Sequence, residues 1–190
     1  MNFLAHLWLA ERTGTSLAGS VLGDVVRGTD LSAYPPEIAQ GIRLPRRVDA
    51  RTDHHPLITA VRGRFAPGAR RYAGIVLDLA CDHALARDWP RHTEESLDGF
   101  CLRAGAAIEE AAHWFRLAGG RSSSAESFAA LLRSYQHADG IDLALRRIAT
   151  RMRQPEALLI AAGDWPQHAQ HLQPQLPLLF DDLVTAMQTP

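Results

Sequence analysis

At 190 residues the chain is long enough for one domain with a proper hydrophobic core. It is 46% hydrophobic and 22% charged, with a formal net charge of −1, which speaks against a general nucleic-acid binder, since those are basic. All twenty basic residues are arginine. That is what a biased genome composition produces, but arginine is also the better fork for carboxylates and phosphates, so its clusters are candidate anion sites.

Two cysteines, Cys81 and Cys101, lie in apolar helical text. They read as buried free thiols of a reducing compartment rather than a disulfide framework. The opening MNFLAHLWLAERTG has no basic region and no small-residue cleavage site, so it does not read as a signal peptide. No apolar run approaches the ~18 residues of a membrane span. The expectation is a cytoplasmic protein with no membrane partner.

The chain reads with helical period almost throughout and shows no β-alternation. The first predicted helix covers 2–11, with Phe3, Leu4, Leu7 and Trp8 on one side. Thr15 or Ser16 caps a second, expected to run to Arg27 and to close at Gly28. Pro35-Pro36 opens a third, to about Thr52, in which Pro45 predicts a kink or break. His55-Pro56 forces a boundary. Helices follow over about 57–65, 69–89, 94–115, 125–136 and 141–152. Gly119 to Ser124 reads as a flexible loop whose serines can cap the next helix, and Gly140 as a joint. Prolines 166, 174 and 177 break the tail into two or three short helices. The predicted fold class is all-α, a single compact multi-helix domain over 1–190.

Several ionisable positions do not suit a bland core. In LDLACDHAL, Asp78 and Asp82 lie four apart, on one helix face, and His83 is about 100° round from Asp82. Two carboxylates one turn apart repel, more so when buried, unless a cation sits between them. Either they bind a metal ion or arginine, or they face solvent and pair with residues such as Arg87. Asp49 and Asp53 repeat the spacing among arginines, so a surface salt-bridge network competes with a ligand role. Asp53-His54-His55-Pro56 combines oxygen and nitrogen donors that suit Mn, Fe or Zn. Asp24 sits in apolar helical text and is either paired, with Arg27 as the candidate, or a ligand. His6, on an apolar face, reads first as a core histidine. His113, His137, His168 and His171 stand apart and read as surface or structural, and there is no P-loop, nucleophile elbow or Cys-x-x-Cys pair.

Taken together, these blocks are similar to the acyl carrier protein phosphodiesterase family, the holo-acyl-carrier-protein hydrolases. The resemblance rests on Asn2-Phe3-Leu4-Ala5-His6-Leu7; Asp24 with Arg27-Gly28; Gly41-Ile42; Arg46-Arg47-Val48-Asp49 with Thr52-Asp53; and Leu77-Asp78 through Asp82-His83 to Arg87 and Trp89. It covers about the first half of the chain. It implies hydrolysis of the phosphodiester that joins 4′-phosphopantetheine to a serine of holo-acyl carrier protein. It also implies a divalent metal, manganese first with magnesium or iron as alternatives, and distant kinship with the all-α HD-domain phosphohydrolases. One departure stands out: Pro45 occupies a position where the family usually has histidine.

Under this resemblance the expected metal ligands are Asp24, Asp53, Asp82 and His83, with Asp49, Asp78 and His6 as reserve ligands or orienters. Asp78 is the candidate base, and Arg27 with Arg46 or Arg47 would hold the phosphate oxygens. Acyl carrier proteins are acidic, so a basic docking face is expected at Arg43, Arg46, Arg47 and Arg51, with Arg62, Arg64, Arg70 and Arg71 adding to it. Two other readings compete: an HD-type phosphohydrolase acting on a nucleotide or other small phosphoester, and a non-catalytic module that binds acyl carrier protein.

Overall fold

The structure is a computed structural model that describes residues 1–188 with the exception of Ser122. Among the described residues the regular structure is helical, with no strand. The order is α1 (Phe3–Arg12), α2 (Leu17–Leu22), α3 (Pro36–Asp53), α4 (Pro56–Arg62), α5 (Ala73–Arg87) and α6 (Leu97–Glu110). There follow α7 (Ala112–Leu117), α8 (Ala125–Ser134), α9 (Ala138–Ala149), α10 (Pro155–Ala161), α11 (Trp165–Leu172) and α12 (Leu176–Gln188). The helices share one continuous core, so the all-α expectation holds. The predicted domain limits of 1–190 reach past the described residues at both Ser122 and the last two positions.

The centre of the fold is α5. Its residues Ala80 to Ala86 are all buried, and α1, α4, α9, α11 and α12 pack around it. Over that stretch the helix has no face to give to water, so ionisable residues there must find partners inside the protein. The first helix is as deeply placed, with Leu4 through Ala10 buried. Helices α2 and α3 cross at Gly19 and Gly41, where a Cβ on either glycine would stand 2.8 Å from the other's Cα.

Four features differ from expectation. The second helix ends at Leu22 rather than Arg27, because the chain turns at Gly23 and Gly28 adopts φ +80°. Arg46 then donates to the carbonyls of Val26 and Gly28, both at 2.6 Å, and pins that loop to α3. Pro45 does not break α3, which runs unbroken from Pro36 to Asp53. Its ring is buried against Gly23, whose missing side chain makes the room, and this packing offsets the backbone bond a proline forgoes. Gly140 is not a joint but lies in the first turn of α9, where a Cβ would collide with the carbonyl of Ser134. The stretch 94–115 also divides, into α6 and α7 at Ala111. In the loop before α8, Ser124 accepts from the amide of Ser127 at 3.3 Å as the expected cap, while Ser122 lies outside the described residues.

Candidate active site

Asp78 and Asp82 share a face of α5 but have different surroundings. The Asp82 carboxylate is fully buried and accepts from the backbone amides of Leu4 at 2.8 Å and Ala5 at 3.0 Å. These are first-turn amides of α1, which have no partner within their own helix. Asn2, the residue in the local capping position, makes no side-chain cap; its amide donates instead to the Tyr135 hydroxyl at 3.0 Å. Asp82 is therefore a cap supplied from another helix. Burial pushes its carboxyl up to about 7, against the pull of the two amides and Met1.

His83 is also committed to the fold. Its Nδ1 donates to the carbonyl of Tyr135 at 2.8 Å, and its ring meets the Trp165 edge at a centroid distance of 4.9 Å. Burial holds this imidazole below its ordinary value. Asp82 and His83 are thus both engaged by backbone groups, Asp82 through both oxygens and His83 through Nδ1.

Asp78, one turn earlier, faces a different set. Met1's α-ammonium donates to Asp78 Oδ1 at 2.9 Å and to Asp49 Oδ1 at 2.7 Å. Asp49 Oδ1 also accepts from His6 Nε2 at 3.0 Å. Four chain positions, from the N-terminus, α1, α3 and α5, thus meet at one point. His6 is buried, while the Asp49 and Asp78 side chains keep 48% and 40% of their surface, so the cluster opens to water on the carboxylate side. Burial lowers the ammonium's pKa, but Asp78 and Asp49 outweigh it and raise the group to about 11. For Asp49, burial is opposed by the His6 hydrogen bond and the ammonium, and its carboxyl is held below the usual range.

Asp24 borders the same cluster. Loss of solvation raises its carboxyl, His6 lowers it, and Asp49 and Asp78 raise it further. The residue is exposed at its outer edge, so water moderates the rise. No ion pair joins Asp24 to Arg27 among the described residues, contrary to one of the alternatives for Asp24.

A pocket of about 270 Å³ opens beside this cluster, lined by Met1, Asp49, Thr52, Asp78 and Cys81 with the Asp53–Arg62 pair. Arg62 Nη2 donates to Asp53 Oδ1 at 2.6 Å, so Asp53 stands in the wall as half of an ion pair. Cys81 is buried and pushed up to about 12 by burial, which keeps it a neutral thiol and no nucleophile. Cys101 is a free buried thiol as well, as expected.

The residues expected to bind metal are thus brought together only in part. The set Asp24, Asp53, Asp82 and His83 does not converge. The reserve set His6, Asp49 and Asp78 does, with Asp24 alongside. One imidazole with several carboxylates is a donor chemistry that suits Mn, Fe or Mg. Among the described residues, though, no group of three or more His, Cys, Asp or Glu stands at ligating separations. The ammonium occupies the place between Asp49 and Asp78, so a divalent ion held by both carboxylates must displace it.

The expected phosphate clamp and docking arginines are also redistributed. Arg46 donates to the carbonyls of Val26 and Gly28. Arg47 donates to the carbonyl of Ala186 at 3.3 Å. Arg71 donates to Gln154 and Arg70 to the carbonyls of Phe65 and Gly63. Arg27, Arg43 and Arg51 are exposed. His54 and His55 face away from the acidic cluster: His54 Nδ1 donates to the carbonyl of Ala50, and His55 Nε2 pairs with Asp182 at 3.3 Å. His168 is buried and stacks on Phe65 at 4.0 Å, a structural role in line with expectation. Sequence reasoning missed the Met1 ammonium altogether. Nothing in helical spacing marks a chain end as the partner of two distant carboxylates.

The family model described as acyl carrier protein phosphodiesterase matches residues 1–183. The protein named acyl carrier protein phosphodiesterase in Yersinia enterocolitica is 50% identical over 91 residues, 48% of this chain and 47% of that protein. The protein of the same name in Serratia proteamaculans is 44% identical over 109 residues, 57% of this chain and 56% of that one. The chain thus spans about half the length of the curated relatives it matches. No solved structure matches it.

Proposed function

The chain belongs to the acyl carrier protein phosphodiesterase family, and from that premise we propose that it removes 4′-phosphopantetheine from holo-acyl carrier protein in the cytoplasm. The observation that carries the reading is the meeting of Asp49 and Asp78 on one cation, with His6 bonded to Asp49, at the mouth of a pocket. No described helix is long and apolar enough to cross a membrane, which accords with a substrate that is itself a protein in solution.

The reaction adds one water across a phosphodiester. A P–O bond to water forms, the P–O bond to serine breaks, and the serine oxygen leaves with a proton. Asp78 is the base we assign: it lines the pocket, keeps a water-facing edge and has one oxygen outside the ammonium contact. His6 orients Asp49 through their shared hydrogen bond, the role of a supporting partner to a ligand. We assign Asp24 and Asp49 as the carboxylates that would hold a divalent metal, manganese first, with His6 as the orienting partner of Asp49. The chemistry such an ion supplies when bound is neutralisation of phosphoryl charge and a more acidic water. In this reading Asp82 holds α1, Arg46 holds the 23–35 loop and His83 holds the backbone at Tyr135.

The test is the intact mass of holo-acyl carrier protein after incubation with the chain, with Mn²⁺ and with EDTA. Loss of the prosthetic-group mass with Mn²⁺ and its retention with EDTA is the expected result. Retention under both conditions, while a small phosphodiester is cleaved, would redirect the reading to a nucleotide or other small phosphoester. One observation favours binding without turnover: Pro45, at the position of the family histidine, is buried against Gly23 and offers no donor. A stable complex with holo-acyl carrier protein and no release would establish that second reading.

A further inference from the structure

A larger cavity than the one at the acidic cluster lies elsewhere. It is an open groove of about 750 Å³ between the α3–α4 corner, the end of α11 and the start of α12. Its lining differs from the other pocket in charge. Arg51 and Arg64 project from two sides, exposed and without an ion pair or hydrogen bond among the described residues. The one carboxylate, Asp182, is already matched with His55 across the groove. The floor is apolar, formed by Leu57, Val61 and Leu178, the last 65% exposed.

Helix α4 is the partition between the groove and the acidic pocket. Leu57 and Val61 line the groove, while Ile58 and Arg62 line the acidic pocket. The same change occurs at the end of α3, with Arg51 and His54 on the groove side and Thr52 and Asp53 on the other. A partner lying in the groove is therefore one helix away from the carboxylates.

We propose that this groove is the docking site for an acidic amphipathic helix of the protein substrate, seated with its apolar face on Leu57 and Leu178 and its carboxylates on Arg51 and Arg64. The proposal rests on the acyl carrier protein reading above and names the surface that reading leaves open. Charge complementarity carries it. Of the arginines first expected to dock, Arg46 and Arg47 already donate to backbone carbonyls, while Arg51 and Arg64 frame an apolar floor of the kind a helix face occupies. Exposed charges of this kind steer association and are screened by salt.

The experiment measures binding apart from chemistry. Fluorescence anisotropy would follow labelled apo-acyl carrier protein, which has no prosthetic group to lose, binding to the full chain at low and moderate salt. The double variant Arg51→Glu/Arg64→Glu is expected to weaken binding at least tenfold at low salt and to flatten its salt dependence. Arg51→Ala/Arg64→Ala, which only removes charge from two exposed positions, should weaken it about threefold to fivefold. The control Arg151→Glu/Arg153→Glu, exposed but outside the groove, should stay within twofold. Unchanged binding in both groove variants, or an equal loss in the control, would overturn the proposal. Failure of the catalytic reading shows separately, as wild-type chain that binds the apo form yet releases no prosthetic group.

Discussion

Asp78 and Asp82 differ by one helical turn, yet one belongs to a candidate active site and the other to the framework. Asp82 is sealed and has both oxygens on amides of α1. Asp78 is partly open, meets the Met1 ammonium and looks into a pocket. The difference teaches that a pair of carboxylates on one helix face need not share a task. Neighbouring elements divide them, and a carboxylate's freedom is set by what has already been donated to it.

The sharpest way to break this comparison is to neutralise the pocket side. Asp49→Asn and Asp78→Asn should each lower kcat/KM on holo-acyl carrier protein by about a hundredfold or more, the scale of a lost acid–base or ligand group, with folding retained. If Asp82→Asn lost activity as steeply at unchanged stability, the division drawn here would fail. Next in size is the framework side. Asp82→Ala leaves two buried amides of α1 without an acceptor, so unfolding in urea should show a loss of about 2–4 kcal/mol.

The dependence of stability on pH tests the burial of Asp82 directly. Burial raises Asp82 from 3.8 to about 7, so between those values the folded chain holds a proton that the unfolded chain has released. The stability this contributes is fully present below about pH 4 and is lost as pH rises through about 7. Urea midpoints at pH 4, 5, 6 and 7 should therefore fall less steeply in Asp82→Asn than in the wild type. Parallel slopes would mean that Asp82 keeps its charge throughout.

Two smaller effects refine the picture. Arg46→Ala should lose about 1–3 kcal/mol, because two charge-assisted bonds to the 23–35 loop disappear, and Asp24 should lose its fixed position with them. Arg62→Ala should change stability by less than about 1 kcal/mol, since its pair with Asp53 is partly in water. A double-mutant cycle on Asp53 and Arg62 would measure that coupling directly.

Much of this protein was legible in its amino-acid order. The helical period of 2–11 and of the LDLACDHAL segment announces all-α structure, and local chemistry places two caps: Ser16 accepts from Gly19 and Ser124 from Ser127. Such signals are local, a side chain and an amide three residues apart, so they survive without knowledge of packing. The set of unusual ionisable residues was legible too, since burial of charge makes each of them conspicuous. What tertiary structure alone decided was their allocation. Periodicity gives the face of a helix but not the helix that covers it. Thus Asp82 became the cap of α1, the ammonium of Met1 came to Asp49 and Asp78, and Pro45 could continue a helix because Gly23 made room for its ring. Each of these depends on groups far apart in the chain meeting at hydrogen-bond or van der Waals distance, a property of the packed core and of no segment read by itself.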